Sequence, residues 1–186
     1  MSKHDLRVVK TKERIHYALT ECLKEKPLSR IKITELCKTA NINRGTFYFH
    51  YQEVGDVFME FFEEIMEDLK DSYEEPYRHN VFLDVKNLDP DTVRIFHHIK
   101  KYEDFYSVIF SEKVSISYYY MFFDAVKEVL EKDPHSEKID GPRDFFFSYT
   151  SNAIIGLIIE WYRRGFRDSA EDMSRNLVFI LKKGER

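Results

Sequence analysis

Apolar positions recur at helical spacing along almost the whole chain. In residues 11–26, "TKERIHYALTECLKEK", Ile15, Ala18, Leu19, Cys22 and Leu23 form one stripe, which predicts an amphipathic helix that Pro27 closes. A short second helix fits about 33–40, with Ile33, Leu36, Cys37 and Ala40 facing inward. "NIN" at 41–43 then interrupts, Asn being tolerant of the conformations that a tight break needs, and a third helix fits about 44–50. A longer stripe starts near 53 with Val57, Phe58, Phe61, Phe62, Ile65, Met66 and Leu69, and Pro76 ends it. Residues 74–91 read as a loop. Asp89-Pro90 offers a cap and a first-turn proline for a helix through about 100, and further helices fit 102–110, 115–131, 142–164 and 170–183. Pro142 and Gly165 bracket the longest of these, and Ser169 to Asp172 resembles a capping box for the last. No strand pattern, repeat or low-complexity tract competes, so the fold class is expected to be all-α.

Composition agrees with helices: in 186 residues Gly (6) and Pro (5) are scarce, while 16 Phe and 12 Tyr supply a ring-rich interior. Charge adds something the pattern does not show. The net charge is −4, yet residues 1–51 carry eleven Lys/Arg against five Asp/Glu, and the remainder carries 18 against 28. A basic head on an acidic body suits a protein whose head alone meets a polyanion. The N-terminal "MSKHDLRVVK" has no apolar signal-peptide core and no apolar run reaches membrane-spanning length. The expectation is a cytoplasmic protein with no membrane partner, in which Cys22 and Cys37 are reduced, buried thiols.

Three short helices near the N-terminus, the last two a few residues apart, match a helix-turn-helix, whose second helix enters the major groove of DNA. The stretch "NINRGTFYFHY" can give that helix two faces. Phe47 and Tyr51 can anchor it to a core of Leu19, Leu23, Leu36 and Ile42. Arg44 can pair with guanine edges or phosphate, Thr46 can offer a hydroxyl or a methyl, and Gly45 lets backbone approach DNA. His50 has the reach for phosphate, and Tyr48 either packs or binds phosphate. With Lys32, Thr34 and Asn43 added, the DNA-facing set is Lys32, Thr34, Asn43, Arg44, Gly45, Thr46, Tyr48 and His50. Lys10, Lys12 and Arg14 either track the DNA backbone or form a solvated run.

The stretch "ITELCKTANINRGTFYFHYQEVGDVF" resembles the helix-turn-helix of TetR/AcrR-type bacterial transcription regulators. Ile33, Leu36, Ala40, Ile42, Arg44, Gly45, Thr46, Phe47, Tyr48, His50 and Tyr51 occupy the slots of that family's pattern, over about residues 10–60. The closing "IIEWYRRGFRDSAEDMSRNL" is similar to the C-terminal region of the subgroup common in Firmicutes. Three positions depart from the pattern. Lys32 replaces the usual Thr cap, Val54 stands where many members carry a phosphate-binding Lys, and Asn41 replaces the usual turn Gly.

The resemblance implies a helix-turn-helix DNA-binding domain over 1–52 and a helical dimerisation and effector domain over 53–186. It implies a homodimer on a palindromic operator, with repression as the usual outcome and activation as the alternative. Its last two helices would pair with their symmetry mates through Ile154, Leu157, Ile158, Trp161, Met173, Leu177, Ile180 and Leu181, the alternative being that they simply fill the monomer core. A small hydrophobic or aromatic effector would lie among Phe62, Phe96, Phe105, Tyr106, Tyr119, Phe122, Phe123 and Phe146, residues that at helical spacing also suit plain core. The alternative is a co-regulator that keeps the fold and binds a protein partner instead of DNA. No nucleophile motif, phosphate loop or Cys/His cluster is present, so neither an enzyme nor a cofactor is expected. Adjacent His97 and His98 diverge on a helix, so no metal site is expected there.

Overall fold

The computed structural model describes residues 3–74, 88–132 and 141–184, and every regular element among them is helical. The helices are α1 (Lys3–Glu25), α2 (Ile33–Ala40), α3 (Arg44–His50), α4 (Val54–Glu74), α5 (Ile95–Lys101), α6 (Glu103–Ile109), α7 (Ser117–Glu131), α8 (Arg143–Arg163) and α9 (Ala170–Gly184). Short 3₁₀ turns lie at Leu28–Arg30 and Pro90–Thr92. Most of the loop expected at 74–91, and the prolines at 76 and 134, lie outside the described residues.

The chain divides into two compact units, one within Met1–Ile65 and Ser111–Ser115, the other within Met66–Phe110 and Ile116–Arg186. In the N-terminal unit, α1 begins well before its apolar stripe, because residues 3–10 contain neither Gly nor Pro to stop a helix. Its inward face buries Ile15, Ala18, Leu19 and Leu23, and α2 packs on it with Leu36, Cys37 and Ala40. Asn41 ends α2 in the left-handed region (φ 53°, ψ 51°), and its N–H returns to Cys37 O and Lys38 O. Arg14 fixes that end further: Nη2 donates to Ala40 O (2.6 Å) and Asn41 O (2.5 Å). Residues 111–115 join this unit, with Leu28 N–H donating to Lys113 O at 2.9 Å. Cys22 and Cys37 are free and buried, and burial raises the pKa of both thiols.

In the C-terminal unit α8 packs on α7, and α9 packs on α5 and the 90–92 turn. Trp161, 1% exposed, stands edge-on to Phe96 and Phe166 and donates its Nε1–H to Asp168 O at 3.1 Å. Gly165 (φ +68°) and Phe166 (φ +51°) make the left-handed turn between α8 and α9, and a glycine carries the first of these without strain. Ser169 caps α9 through its hydroxyl, which accepts from Asp172 N–H at 3.1 Å. His98 is buried between Asp68 Oδ2 and Tyr106 Oη, each 2.8 Å from a ring nitrogen.

One element differs in kind from its expectation. Asp89 and Pro90 do not start the helix that follows; Asp89 Oδ1 accepts from Asp91 N–H and closes a separate 3₁₀ turn. α5 starts later, at Ile95, without a side-chain cap. The local signal was a genuine cap, but the turn it starts is only three residues long, Pro90–Thr92.

Candidate nucleic-acid interface

Asn43 decides where α3 begins. Its backbone is extended and its Oδ1 accepts both the backbone N–H of Thr46 (2.7 Å) and the Thr46 hydroxyl (3.1 Å). A Cβ at position 45 would stand 3.2 Å from that same Oδ1, so Gly45 leaves the cap its room. With the helix start fixed, its rings sort by face. Phe47 is fully buried and Tyr51 is 6% exposed, so both anchor the helix from behind. Tyr48 (50%) and Phe49 (73%) point outward, and His50 is half-buried edge-on to Phe49.

The outward polar groups form a small organised surface. Arg44 is exposed and its Nη2 donates to Tyr48 Oη at 3.1 Å, with the guanidinium 5.6 Å from the Tyr48 ring. Both side chains are thus drawn together one turn apart on the same face. Lys32 precedes α2 with no side-chain cap, as expected from the missing Thr, and both Lys32 and Thr34 are exposed. Lys26, Ser29, Arg30, Ile31 and Lys32 line an open hollow of about 560 Å³, which gives the start of α2 a basic border. Burial lowers the pKa of His50, and nearby Lys12 adds to that, so the imidazole is neutral at neutral pH.

Of the eight residues expected to face DNA, Lys32, Thr34, Asn43, Arg44, Gly45 and Tyr48 are exposed, and Thr46 and His50 are half-buried. Two of them have roles the sequence did not separate. Asn43 Oδ1 accepts the Thr46 hydroxyl hydrogen as well as the Thr46 N–H, so both residues serve the helix start. The basic run at 10–14 also divides: Arg14 holds the end of α2 and Lys12 pairs with Glu60, while Lys10 is exposed. Val54, where a phosphate-binding Lys was expected in relatives, is 8% exposed at the first turn of α4 and serves the core. Sequence reasoning missed Glu60, which accepts the Tyr51 hydroxyl as well as Lys12 and so holds the end of α3 to α4. Only the fold brings these three together.

The C-terminal unit revises two expectations. Ile158, Trp161, Met173 and Leu177 were placed at a dimer interface, but each is at least nine-tenths buried within the single chain. Ile154, Leu157 and Leu181 are half-buried, and Ile180 is 49% exposed. The outward apolar face of α8 lies elsewhere: Phe145 and Tyr149 are about three-quarters exposed, and Ala153 and Gly156 continue the line. Phe179 joins Ile180 on α9. The core side of α8 runs through Phe147, Ser151, Ile155 and Ile158, and the polar Ser151 within it hid that register from a reading by hydrophobicity. The eight aromatic residues expected around an effector are also differently employed. Phe105, Tyr106 and Phe122 are buried against one another, with ring centroids 5.6 and 5.1 Å apart, and Phe96 is spent on Trp161. Phe62 is buried, in the N-terminal unit; Tyr119 and Phe123 are half-buried, and Phe146 is exposed.

Residues 86–183, more than half of the chain, match the family described as "Transcriptional regulator C-terminal region" of TetR-type proteins. The chain belongs to the TetR family of transcriptional regulators. Its fold is shared with solved structures. A TetR transcriptional regulator from Streptococcus agalactiae is 19% identical with a TM-score of 0.66, over 96% of this chain and 97% of that one. DhaS, a dihydroxyacetone kinase operon activator, is 20% identical at 0.64, over 94% and 95%. NalD of Pseudomonas aeruginosa, the secondary repressor of the MexAB-OprM multidrug efflux pump, is 17% identical at 0.60, over 96% of both. This TetR-family chain is therefore all-α by its own helices and by its relatives' fold, and among its described residues no helix is long and apolar enough to cross a membrane.

Proposed function

We propose that this TetR-family regulator binds a palindromic DNA operator as a homodimer, with residues 1–52 reading DNA and residues 53–186 supplying the dimer contact. One observation carries the reading: α3 is capped at Asn43 and pinned by Phe47 and Tyr51, so that Arg44 and Tyr48 stand together on its open face. An organised cation on a solvent-facing recognition helix suits a groove edge or phosphate and serves no packing purpose. In this reading Arg44 contacts a base edge, Tyr48 orients it, and Lys32, Thr34 and His50 meet phosphates. Asn43, Gly45 and Thr46 set the helix start.

One helix-turn-helix offers few contacts, and a two-fold dimer doubles them over half-sites about 34–36 Å apart or a multiple of that. The unpartnered line Phe145, Tyr149, Ala153 and Gly156 on α8, with Phe179 and Ile180 on α9, is the face proposed for that pairing. Repression follows when a seated dimer covers a promoter; the fold relative NalD is named as a repressor.

The test is DNA binding measured against salt. Affinity should fall linearly in log–log form, with a slope of about −0.9 for each phosphate neutralised. Arg44→Ala should cost about 1–3 kcal/mol and relax the preference at one base position. A flat salt response, or an Arg44→Ala protein that binds as before, contradicts the reading.

A further inference from the structure

Behind the DNA-facing helix lies a cluster that the reading above does not use. Lys12 and His16 stand one turn apart on α1, and Glu60 and Glu64 one turn apart on α4, all within the N-terminal unit. Lys12 Nζ pairs with Glu60 Oε1; His16 Nε2 is 3.9 Å from Glu60 Oε2, and His16 Nδ1 is 3.4 Å from Glu64 Oε2. One ligand-type atom from each of His16, Glu60 and Glu64 lies within 4.8 Å of the other two.

The imidazole is what separates this cluster from an ordinary surface ion-pair group. The His16 side chain is 8% exposed, lies flat on the Phe61 ring at 4.6 Å, and its Nε2 is buried with no hydrogen-bond partner. Lys12 pairs with Glu60, and the two carboxylates face an imidazole held rigid by its stacking on Phe61, whose second nitrogen is unsatisfied. That is the donor set of a first-row divalent metal.

We propose that His16, Glu60 and Glu64 bind one divalent transition-metal ion, zinc being the probe of choice, between α1 and α4, with solvent completing the coordination. With bonds of about 2.0–2.2 Å the donors need separations of roughly 3.4 Å, so a cluster spread over 4.8 Å must close by up to about 1.4 Å. Glu64, whose side chain is 55% exposed, can supply that movement. The Tyr51 hydroxyl donates to Glu60 Oε2 and orients the carboxylate from outside the coordination shell. Lys12 is the built-in competitor, because it holds the other oxygen of the same carboxylate. Since Tyr51 ends α3, an ion here sits one residue away from the helix proposed to read DNA, although its binding does not depend on that proposal.

Isothermal titration of zinc into the untagged, metal-stripped full-length protein tests the site, with cobalt absorption as a second readout. The expected result is one ion per chain, with an intense cobalt visible band that indicates low coordination number. His16→Gln and Glu64→Gln should each weaken zinc about tenfold or more. Lys12→Met should tighten it, a gain that adventitious surface binding would not show. Glu64 is exposed enough that its variant keeps the fold, and helical content measured by circular dichroism verifies this for all three. Absence of zinc binding, or equal affinity in the wild type, His16→Gln and Glu64→Gln, overturns the proposal.

Discussion

Among the described residues the two units each bury one histidine, and they satisfy it differently. In the C-terminal unit His98 is enclosed by partners on both ring nitrogens, Asp68 on one side and Tyr106 on the other, and Lys101 steadies Asp68 at 2.5 Å. In the N-terminal unit His16 keeps one nitrogen without a partner and faces two carboxylates. The contrast extends to their surfaces. The N-terminal unit hides its anchoring rings and shows a short, capped, polar helix start; the C-terminal unit shows apolar rings on α8 and α9. A closed polar network fits a core that only holds shape. An open donor and an organised cation fit a surface that exchanges partners, and exposed rings fit a surface that acquires one.

The largest expected effect falls on the N-terminal unit. Phe47 is fully buried and is the main anchor of α3, so Phe47→Ala should cost about 3–5 kcal/mol of stability in denaturant unfolding. If it costs less than Tyr48→Ala, the inward and outward faces have been assigned the wrong way round.

Acid sharpens the comparison between the histidines. Burial holds the pKa of both His16 and His98 at about 4, against 6.5 for an unfolded histidine. As pH falls below 6.5 the unfolded chain takes up these protons and the folded one does not. Stability is therefore complete above 6.5 and is lost between 6.5 and 4, by up to about 3 kcal/mol for each residue. Thermal unfolding across that window should show the decline, and His98→Gln should flatten it. A decline unchanged in His98→Gln would mean that this ring is already charged in the folded protein.

The exposed α8 face gives the next effect. Tyr149→Asp should weaken self-association by about tenfold or more in sedimentation equilibrium, because it puts a charge into a face that must dehydrate on pairing. An undisturbed dimer would move the interface away from Tyr149. The smallest effect is at the cap: Asn43→Ala should cost about 1 kcal/mol of stability and also loosen Thr46. If the cap contributes nothing, α3 is positioned by its rings alone.

What could be read in advance follows from how local each signal is. The helix-turn-helix was legible because its parts lie within a few residues of one another: Asn41 at a left-handed turn, Asn43 at a cap, Phe47 and Tyr51 one turn apart. The family motif and the helix ends at Gly165 and Ser169 were local in the same way. The exposed face of α8 was not, since polar Ser151 lies on its buried side and hydrophobicity alone cannot say which side faces the core. Asp89-Pro90 carried a true cap whose length the sequence could not fix. The His16, Glu60 and Glu64 cluster was the least legible, because its members come from two helices far apart in sequence and mean nothing until those helices pack.

The most direct measurement is selection from a random-sequence DNA pool by the full-length protein, repeated with Arg44→Ala. The account predicts an inverted repeat for the wild type, with half-site centres one helical turn or a multiple apart, and the same repeat with one symmetric position relaxed in the variant. A pool that enriches no repeat, or a repeat that Arg44→Ala reproduces unchanged, would contradict the claim that the open face of α3 reads DNA.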